Sequence, residues 1–465
     1  MAEGMLKRYG FDEKEFARLQ ERYRSGELSL KTNRINYGNS WEIRLPRPED
    51  SAPLPGRESG DCRLGKSEIE SGSLGLIMMN GGAATRFQQP GENIPKGAFE
   101  IIELEGRPRS FMELKLANAR WAEQEFGGSI PVWILNSYFT DRQTESILKE
   151  KHDFGKELVF TYCQGIMLRV VPTRQDLESH YGRKLSSLRS EIASLPPARQ
   201  EEARREEKIL EENLRSWLAV SDERAGEVIE VKKEKDRYNP PGHLDTTLWL
   251  ILDRSRPLLK MLELGVKWLA ISNIDNLGAT VDPALCGLLK ARRKEGVKIL
   301  CEVSKKPPGQ KGGALARVYD PESKREWTQL IEEFAFPPDF DQDKIPEFNN
   351  ATYTMAVADL LDLFELDRKQ LESLTRDELK EKVRRVTDRL PVYVAIKELK
   401  DETGRGTGLR PVVQFERLQG DLTRLLRPLG VRTVDRFFPV KKREDIPIVA
   451  PRLKKLLRGK VILSR

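Results

Sequence analysis

The chain has 465 residues, enough to bury a large core and to hold more than one domain or subdomain. Its 80 Lys and Arg against 73 Asp and Glu leave a net charge of +7 and a pI near 9.0, a modest excess that suits anionic small molecules. No basic run exceeds Lys441-Lys442-Arg443 and no RNA- or DNA-reading motif occurs, so neither nucleic acid nor, without an apolar run of 18 residues, a membrane is an expected partner.

Four scattered cysteines (Cys62, Cys163, Cys286, Cys301) have no metal spacing and read as free thiols of a reducing compartment. Three histidines argue against a His-rich metal site. With no signal peptide in view, the expected location is the cytoplasm.

Residues 10–25 read as an amphipathic helix, with Phe11, Phe16, Leu19 and Tyr23 near helical spacing. Residues 30–73 are mixed and rich in Pro, Gly and Ser. They read as a wrapping segment without a core of their own, so the main core is expected to start near Leu74.

The apolar run Leu74 to Met79 reads as a buried strand. It leads into Asn80-Gly81-Gly82-Ala83-Ala84-Thr85-Arg86, where small residues let another molecule lie against the backbone and exposed N–H groups suit phosphate oxygens. Arg86 adds a fork of donors, and Pro95-Lys96-Gly97 supplies a second cation. The loop is neither a Walker A loop nor a GxGxxG turn, and a glycine turn alone is common. The two cations after a long strand raise it to a candidate nucleoside triphosphate site.

Further along, GAFEII reads as a short strand, and Ser110 and Glu113 as the capping box of a helix. Ile130 to Leu135 is a second buried strand, followed by a helix from near Asp141. Leu158 to Tyr162 is a third, and Gln164 lies just beyond it. An amide there can pair with a uracil edge, although a solvated Gln is the commoner role. This strand–helix rhythm predicts an α/β fold with a mixed, mostly parallel sheet flanked by helices, whose ligands lie at the carboxyl ends of the strands.

Residues 174–236 change character. Leu185, Leu188, Ile192 and Leu195, then Leu210, Leu214, Trp217 and Leu218, mark two helix faces separated by Pro196-Pro197. A helical hairpin packed on the core is expected; coiled-coil pairing is disfavoured, because neither pattern lasts three heptads. Gly242-His243 opens the helix TTLWLILDRSRPLLKMLELG, where a helix start favours anions.

The strand Val266 to Ile271 delivers Ser272-Asn273-Ile274-Asp275-Asn276. Asp275 offers hard oxygen to Mg²⁺, which keeps waters and also binds phosphates; an Asx-turn is the other reading. VKILCEVS continues as a strand. Gly313, Glu332 and Asn349 each sit near apolar residues, a mix suited to sugar hydroxyls. Residues 360–390 read as helical. A C-terminal part begins at Pro391 and carries Lys441 just past Phe437-Phe438-Pro439-Val440.

Taken in order, MNGGAATRF…PKG, LNSYFTDRQT, FTYCQ, PPGHLD, SNIDNLGATVD, EVSKKPPGQKGG, EFNN and RFFPVK resemble the UTP–sugar-1-phosphate uridylyltransferases, most closely the UTP–glucose-1-phosphate uridylyltransferase group, over about residues 74–445. The resemblance implies a nucleotidyltransferase (GT-A/Rossmann-like) catalytic domain over 74–390 with an insertion at 174–236, an N-terminal segment 1–73 and a small C-terminal part 391–465. It implies that Asn80, Gly81, Gly82, Ala83, Thr85 and Arg86 cradle UTP phosphates with Lys96, and that Gln164 and Gly242 meet uracil. His243 and Asn273 would reach the sugar phosphate, and Asp275 would hold Mg²⁺. Gly313, Glu332 and Asn349 would bind the sugar, and Lys441 the phosphates, so that Arg86, Lys96 and Lys441 carry the catalytic charge.

The chain departs from the family pattern at AATR, where LGTS or LGTR is usual, and in the long 174–236 insertion. It also ends at Arg465 without the β-helix tail of the eukaryotic enzymes, so a monomer or a small oligomer built without that tail is expected. Two rival readings are a UDP-N-acetylglucosamine or broad-specificity UDP-sugar pyrophosphorylase and a catalytically silent family member that acts as a binding protein.

Overall fold

The strands of the main sheet are continuous apolar runs rather than alternating ones, because both faces of the sheet are covered. Within 74–79, Leu74, Leu76 and Met78 enter one buried cluster with the helices Phe111–Phe126 and Pro283–Arg292. Ile77 and Met79 enter another with the helices Asp245–Leu252 and Val357–Phe364. The computed structural model describes residues 2–82, 87–88, 94–306, 312–400 and 409–464.

Eight strands form this sheet, numbered in chain order: β1 (Ser51–Pro53), β2 (Leu74–Met79), β3 (Val132–Asn136), β4 (Val159–Cys163), β5 (Trp268–Asn273), β6 (Ile299–Lys305), β7 (Glu347–Ala356) and β8 (Pro428–Arg432). Their order across the sheet is β1-β8-β6-β7-β5-β2-β3-β4. Every pairing is parallel except the two made by β7, which runs antiparallel between β5 and β6. The expected mixed, mostly parallel α/β sheet is therefore present. The reversal of β7 has a consequence for the site: its first residues, not its last, lie at the carboxyl edge of the parallel strands.

This sheet belongs to a unit made of Ser40–Gln164, His243–Leu390 and Leu418–Arg465. A second unit comprises Met1–Asn39, Gly165–Gly242 and Pro391–Arg417. In the second unit an antiparallel ribbon, Tyr393–Lys400 with Leu409–Glu416, packs Val394, Val413 and Phe415 against Phe16, Leu19 and Tyr23 of the helix Glu13–Arg24. The hairpin of helices Arg174–Ser194 and Pro197–Arg224 packs on the same unit, where Tyr181 donates to Glu398 and Trp217 to the Leu409 carbonyl.

These units follow different lines from the segments drawn in the sequence. Residues 40–73 are not a coreless wrapping: they supply β1 and the helix Gly60–Glu70. That helix crosses Pro283–Arg292 at two glycines, where a Cβ on Gly65 would lie 1.7 Å from the Pro283 carbonyl oxygen and one on Gly287 1.7 Å from that of Asp61. The C-terminal part divides, with Pro391–Arg417 in one unit and β8 and the helix Ile446–Leu457 in the other.

Local differences have local causes. The long helix expected after Asp245 is two helices, Asp245–Leu252 and Pro257–Glu263, since Arg256 takes a left-handed φ of +52° before Pro257. The strand expected in GAFEII forms at Glu100–Leu104 and pairs with Arg107–Ser110 in a two-stranded sheet apart from the main one. Ser110 caps its helix by accepting from the Glu113 amide, but the Glu113 carboxylate pairs with Arg109 instead of closing the box.

Candidate active site

The carboxyl edge of β2 is set by Asn80. Its side chain points inward: Oδ1 accepts from the Gly97 amide at 3.0 Å, and Nδ2 donates to Asn136 Oδ1 and Thr144 Oγ1, each at 3.0 Å. Asn80 therefore binds the glycine turn to β3 and to the Lys96 segment, and both ends of its amide are engaged within the protein. Asn80, expected in a phosphate cradle, thus spends its side chain on building the turn.

Gly81 packs closely against Gln164: a Cβ there would lie 2.0 Å from Gln164 Nε2 and would displace that amide. The Gln164 side chain, expected to face uracil, thus lies buried across the turn just past β4. Gly82 is exposed with open space where a Cβ would point, so its backbone is accessible. Ala83, Thr85 and Arg86 lie outside the described residues.

Asp275 is the centre of the edge. It is 4% exposed, and its Oδ2 receives Lys96 Nζ at 2.6 Å and Lys441 Nζ at 3.2 Å. Among the described residues its Oδ1 is buried without a hydrogen-bond partner. Burial works against this charge, but Lys441 and Lys96 outweigh it and hold the carboxyl below its ordinary range. Two lysines 345 positions apart in the chain thus converge on one oxygen.

Lys441 reaches this place because its segment is sewn to the Asp275 loop. Asn276 Oδ1 accepts from the Phe438 amide at 3.0 Å and from the Gly278 amide at 3.2 Å, and Asn276 also bridges Pro439. A Cβ on Gly278 would lie 2.5 Å from the Arg436 carbonyl, so the two segments touch backbone to backbone. Beneath them Arg436 is buried against Glu302, at 2.7 and 2.9 Å, and donates to the Thr280 carbonyl at 3.0 Å. The Lys441 and Lys442 amides both donate to Asp445, and the neighbouring Arg443 guanidinium donates to the Phe87 carbonyl at 2.7 Å.

A second cluster forms where β7 begins. The Asn349 amide donates to the Gly313 carbonyl at 2.7 Å, and Asn349 Nδ2 donates to Tyr353 Oη at 3.0 Å. A Cβ on Gly313 would lie 2.9 Å from Glu332 Oε2. The three residues expected at the sugar are therefore together, with Tyr353 added. Burial and the neighbouring Glu333 push the Glu332 carboxyl above its ordinary range.

Asn273 ends β5 and is half-buried; its carbonyl accepts from the Asn276 amide. His243 is exposed at the entrance to the helix Asp245–Leu252. Gly242 belongs to the other unit, where a φ of +114° and the Arg417 carbonyl oxygen 2.3 Å from a would-be Cβ demand glycine.

Sequence reasoning missed Asn276, Arg436, Glu302, Tyr353 and Lys115. Lys115 had a signal: it shares a helix stripe with Phe111, Asn118 and Ala122, all buried. A lysine on such a stripe requires a partner in the interior.

The family model described as UTP–glucose-1-phosphate uridylyltransferase matches residues 63–179 and 219–465 and passes over the middle of the helical hairpin. A probable UDP-N-acetylglucosamine pyrophosphorylase from Schizosaccharomyces pombe is 32% identical over 158 residues, 30% of this chain and 32% of that protein. A UTP–glucose-1-phosphate uridylyltransferase from Astragalus penduliflorus is 22% identical over 97% of this chain and 76% of its own length. The chain spans about a third of the length of the first curated relatives it matches, 32% and 37%.

Among solved structures, a UDP-glucose pyrophosphorylase mutant from Leishmania major in complex with UDP-glucose shares the fold. It has a TM-score of 0.62 at 18% identity and covers 94% of this chain and 75% of that one. With the model matched across both sides of the sheet, from the helix before β2 to the last described helix, the chain belongs to the UTP–glucose-1-phosphate uridylyltransferase family.

Proposed function

We propose that this chain transfers the uridylyl group of UTP to glucose-1-phosphate, giving UDP-glucose and pyrophosphate. The observation that carries this reading is Asp275, with one carboxylate oxygen held by two lysines and the other buried and unpartnered among the described residues, beside a glycine turn at the carboxyl edge of the sheet.

The free oxygen fits Mg²⁺, which takes one or two carboxylates and fills its shell with water and substrate phosphates. No group of three acid, His or Cys side chains that could hold a metal by itself occurs among the described residues. The donor set therefore suits an ion shared with the nucleotide, and Asp275 is the residue that would hold it. Bound there, Mg²⁺ would supply positive charge to the phosphates of UTP.

The rest is work for the chain. Two anions must meet, so charge compensation is the main demand. The acceptor phosphate is already ionised at neutral pH, and no base is needed. Its oxygen bonds to the α-phosphorus of UTP as the bond to pyrophosphate breaks, and the electron pair leaves with pyrophosphate. Lys96 and Lys441, gathered at Asp275, would compensate this charge, and Arg86 adds to it on the sequence argument. The accessible backbone at Gly82 suits phosphate oxygens, and Gln164 suits the uracil edge. Gly313, Glu332 and Asn349 suit the sugar: a partly buried carboxylate with no cation beside it among the described residues regains its lost solvation by accepting from hydroxyls.

A second acceptor, N-acetylglucosamine-1-phosphate, is favoured by the relative from Schizosaccharomyces pombe. The test is purified protein with UTP, Mg²⁺ and each sugar phosphate in turn, with pyrophosphate and nucleotide sugar both measured. Product with glucose-1-phosphate supports the reading. Product only with N-acetylglucosamine-1-phosphate moves it to the second acceptor, and no product with any sugar phosphate leaves the silent-member reading in its place.

A further inference from the structure

On the buried side of the helix Phe111–Phe126, Lys115 and Asn118 lie one turn apart. Lys115 Nζ donates to Ser272 Oγ at 2.8 Å and to the Ala279 carbonyl at 3.3 Å. Asn118 Oδ1 accepts from the Val281 amide at 2.8 Å. Ser272 is the last residue but one of β5, and Ala279 follows the loop that carries Asp275. One ammonium group therefore ties both ends of that loop together.

The position is costly to fill this way. Lys115 is 6% exposed, and burial pushes its pKa down to about 7, against the pull of Asp275. The charged groups that face it, Arg436 and Glu302, are already paired with each other. An apolar side chain of equal length would fill the space without desolvating a charge. What it would not do is bridge Ser272 to Ala279.

We propose that Lys115 is a positioning residue for the phosphate site: by closing the 272–279 loop from below, it fixes where the Asp275 carboxylate stands relative to Lys96 and Lys441. Its consequence for catalysis rests on the uridylyltransferase reading; its consequence for the loop does not. The variant is Lys115→Met, which keeps length and loses both hydrogen bonds.

Two measurements are made, amide hydrogen exchange on the ligand-free protein and steady-state pyrophosphate release. Exchange across 274–281 is expected to rise by ~10-fold while β2 and β3 keep their protection. The kcat is expected to fall by ~10-fold or more, with the KM for UTP changing less, because a displaced carboxylate acts mainly in the transition state. Ser272→Ala removes one of the two bonds and is expected to show the same local exchange at a smaller amplitude; it decides the matter if Lys115→Met does not fold.

Unchanged exchange across 274–281 in a folded variant would overturn the proposal. So would exchange that rises equally throughout the sheet, which would make Lys115 a general core residue. Wild-type protein without uridylyl transfer would defeat the functional reading and leave the exchange result to judge the loop.

Discussion

Two carboxylates stand at the carboxyl edge of one sheet and are treated in opposite ways. Asp275 is buried, yet two ammonium groups hold its carboxyl in the ionised range. Glu332 is pushed towards neutrality by burial and by Glu333, and its neighbours are a glycine, an amide and a phenol. The first is built to keep a charge that will meet other charges. The second has no hydrogen-bond donor to its carboxylate among the described residues. Environments that drive two titrating groups apart in this way assign them different work.

The comparison can be broken most severely at Asp275. Asp275→Asn keeps the shape and removes the charge, and turnover is expected to fall by ~10²–10³ while the fold survives. Pyrophosphate release and thermal melting measured together test this; normal turnover at limiting Mg²⁺ would return Asp275 to a structural turn.

Lys441→Ala is expected to cost turnover by ~10², against little change for Lys442→Ala. Equal, small effects at both positions would mean that the convergence on Asp275 has no catalytic weight.

Glu332→Gln sharpens the other side. The KM for the sugar phosphate is expected to rise by ~10-fold as an ionic acceptor is lost. The sign of the stability effect is opposite to the usual carboxylate case. A carboxyl whose folded pKa is raised binds more protons folded than unfolded, so its contribution falls as pH rises from the unfolded value through the folded one. Glu332→Gln should therefore melt higher than the parent at neutral pH, and the difference should vanish below about pH 4. A lower melting temperature at neutral pH would contradict the assignment.

The smallest effect is expected outside this unit. Removing residues 183–220 takes away most of the hairpin, and turnover should stay within about twofold, since no candidate site residue lies in that stretch and sites without shared partners act independently. Loss of soluble protein would show instead that hairpin contacts such as Trp217 with the Leu409 carbonyl hold the second unit together.

The sequence was informative where function is written into short stretches. The strand ends at Asn80, Gln164 and Asp275 were legible because an apolar run that stops at a polar, small or acidic residue marks a buried strand meeting solvent or ligand. Lys96 and Lys441 could be marked one at a time, but their meeting on one oxygen could not, because it depends on Asn276 and Arg436 joining distant segments. The inward turn of Asn80 was hidden for the same reason, since its partners Asn136 and Thr144 belong to other elements.

The unit boundaries were missed because the second unit is assembled from three separated stretches, with Val170 bridging both Val228 and Val413. Periodicity reports which face of an element is buried; it does not report which distant stretch will bury it.

The opposed states of the two carboxylates can be measured directly by titrating the ¹³C carboxyl signals of Asp275 and Glu332 in metal-free protein, assigned with Asp275→Asn and Glu332→Gln. Asp275 is expected to titrate below the range of a free aspartate and Glu332 above that of a free glutamate. Both titrating in the ordinary range, or Asp275 above Glu332, would contradict the account.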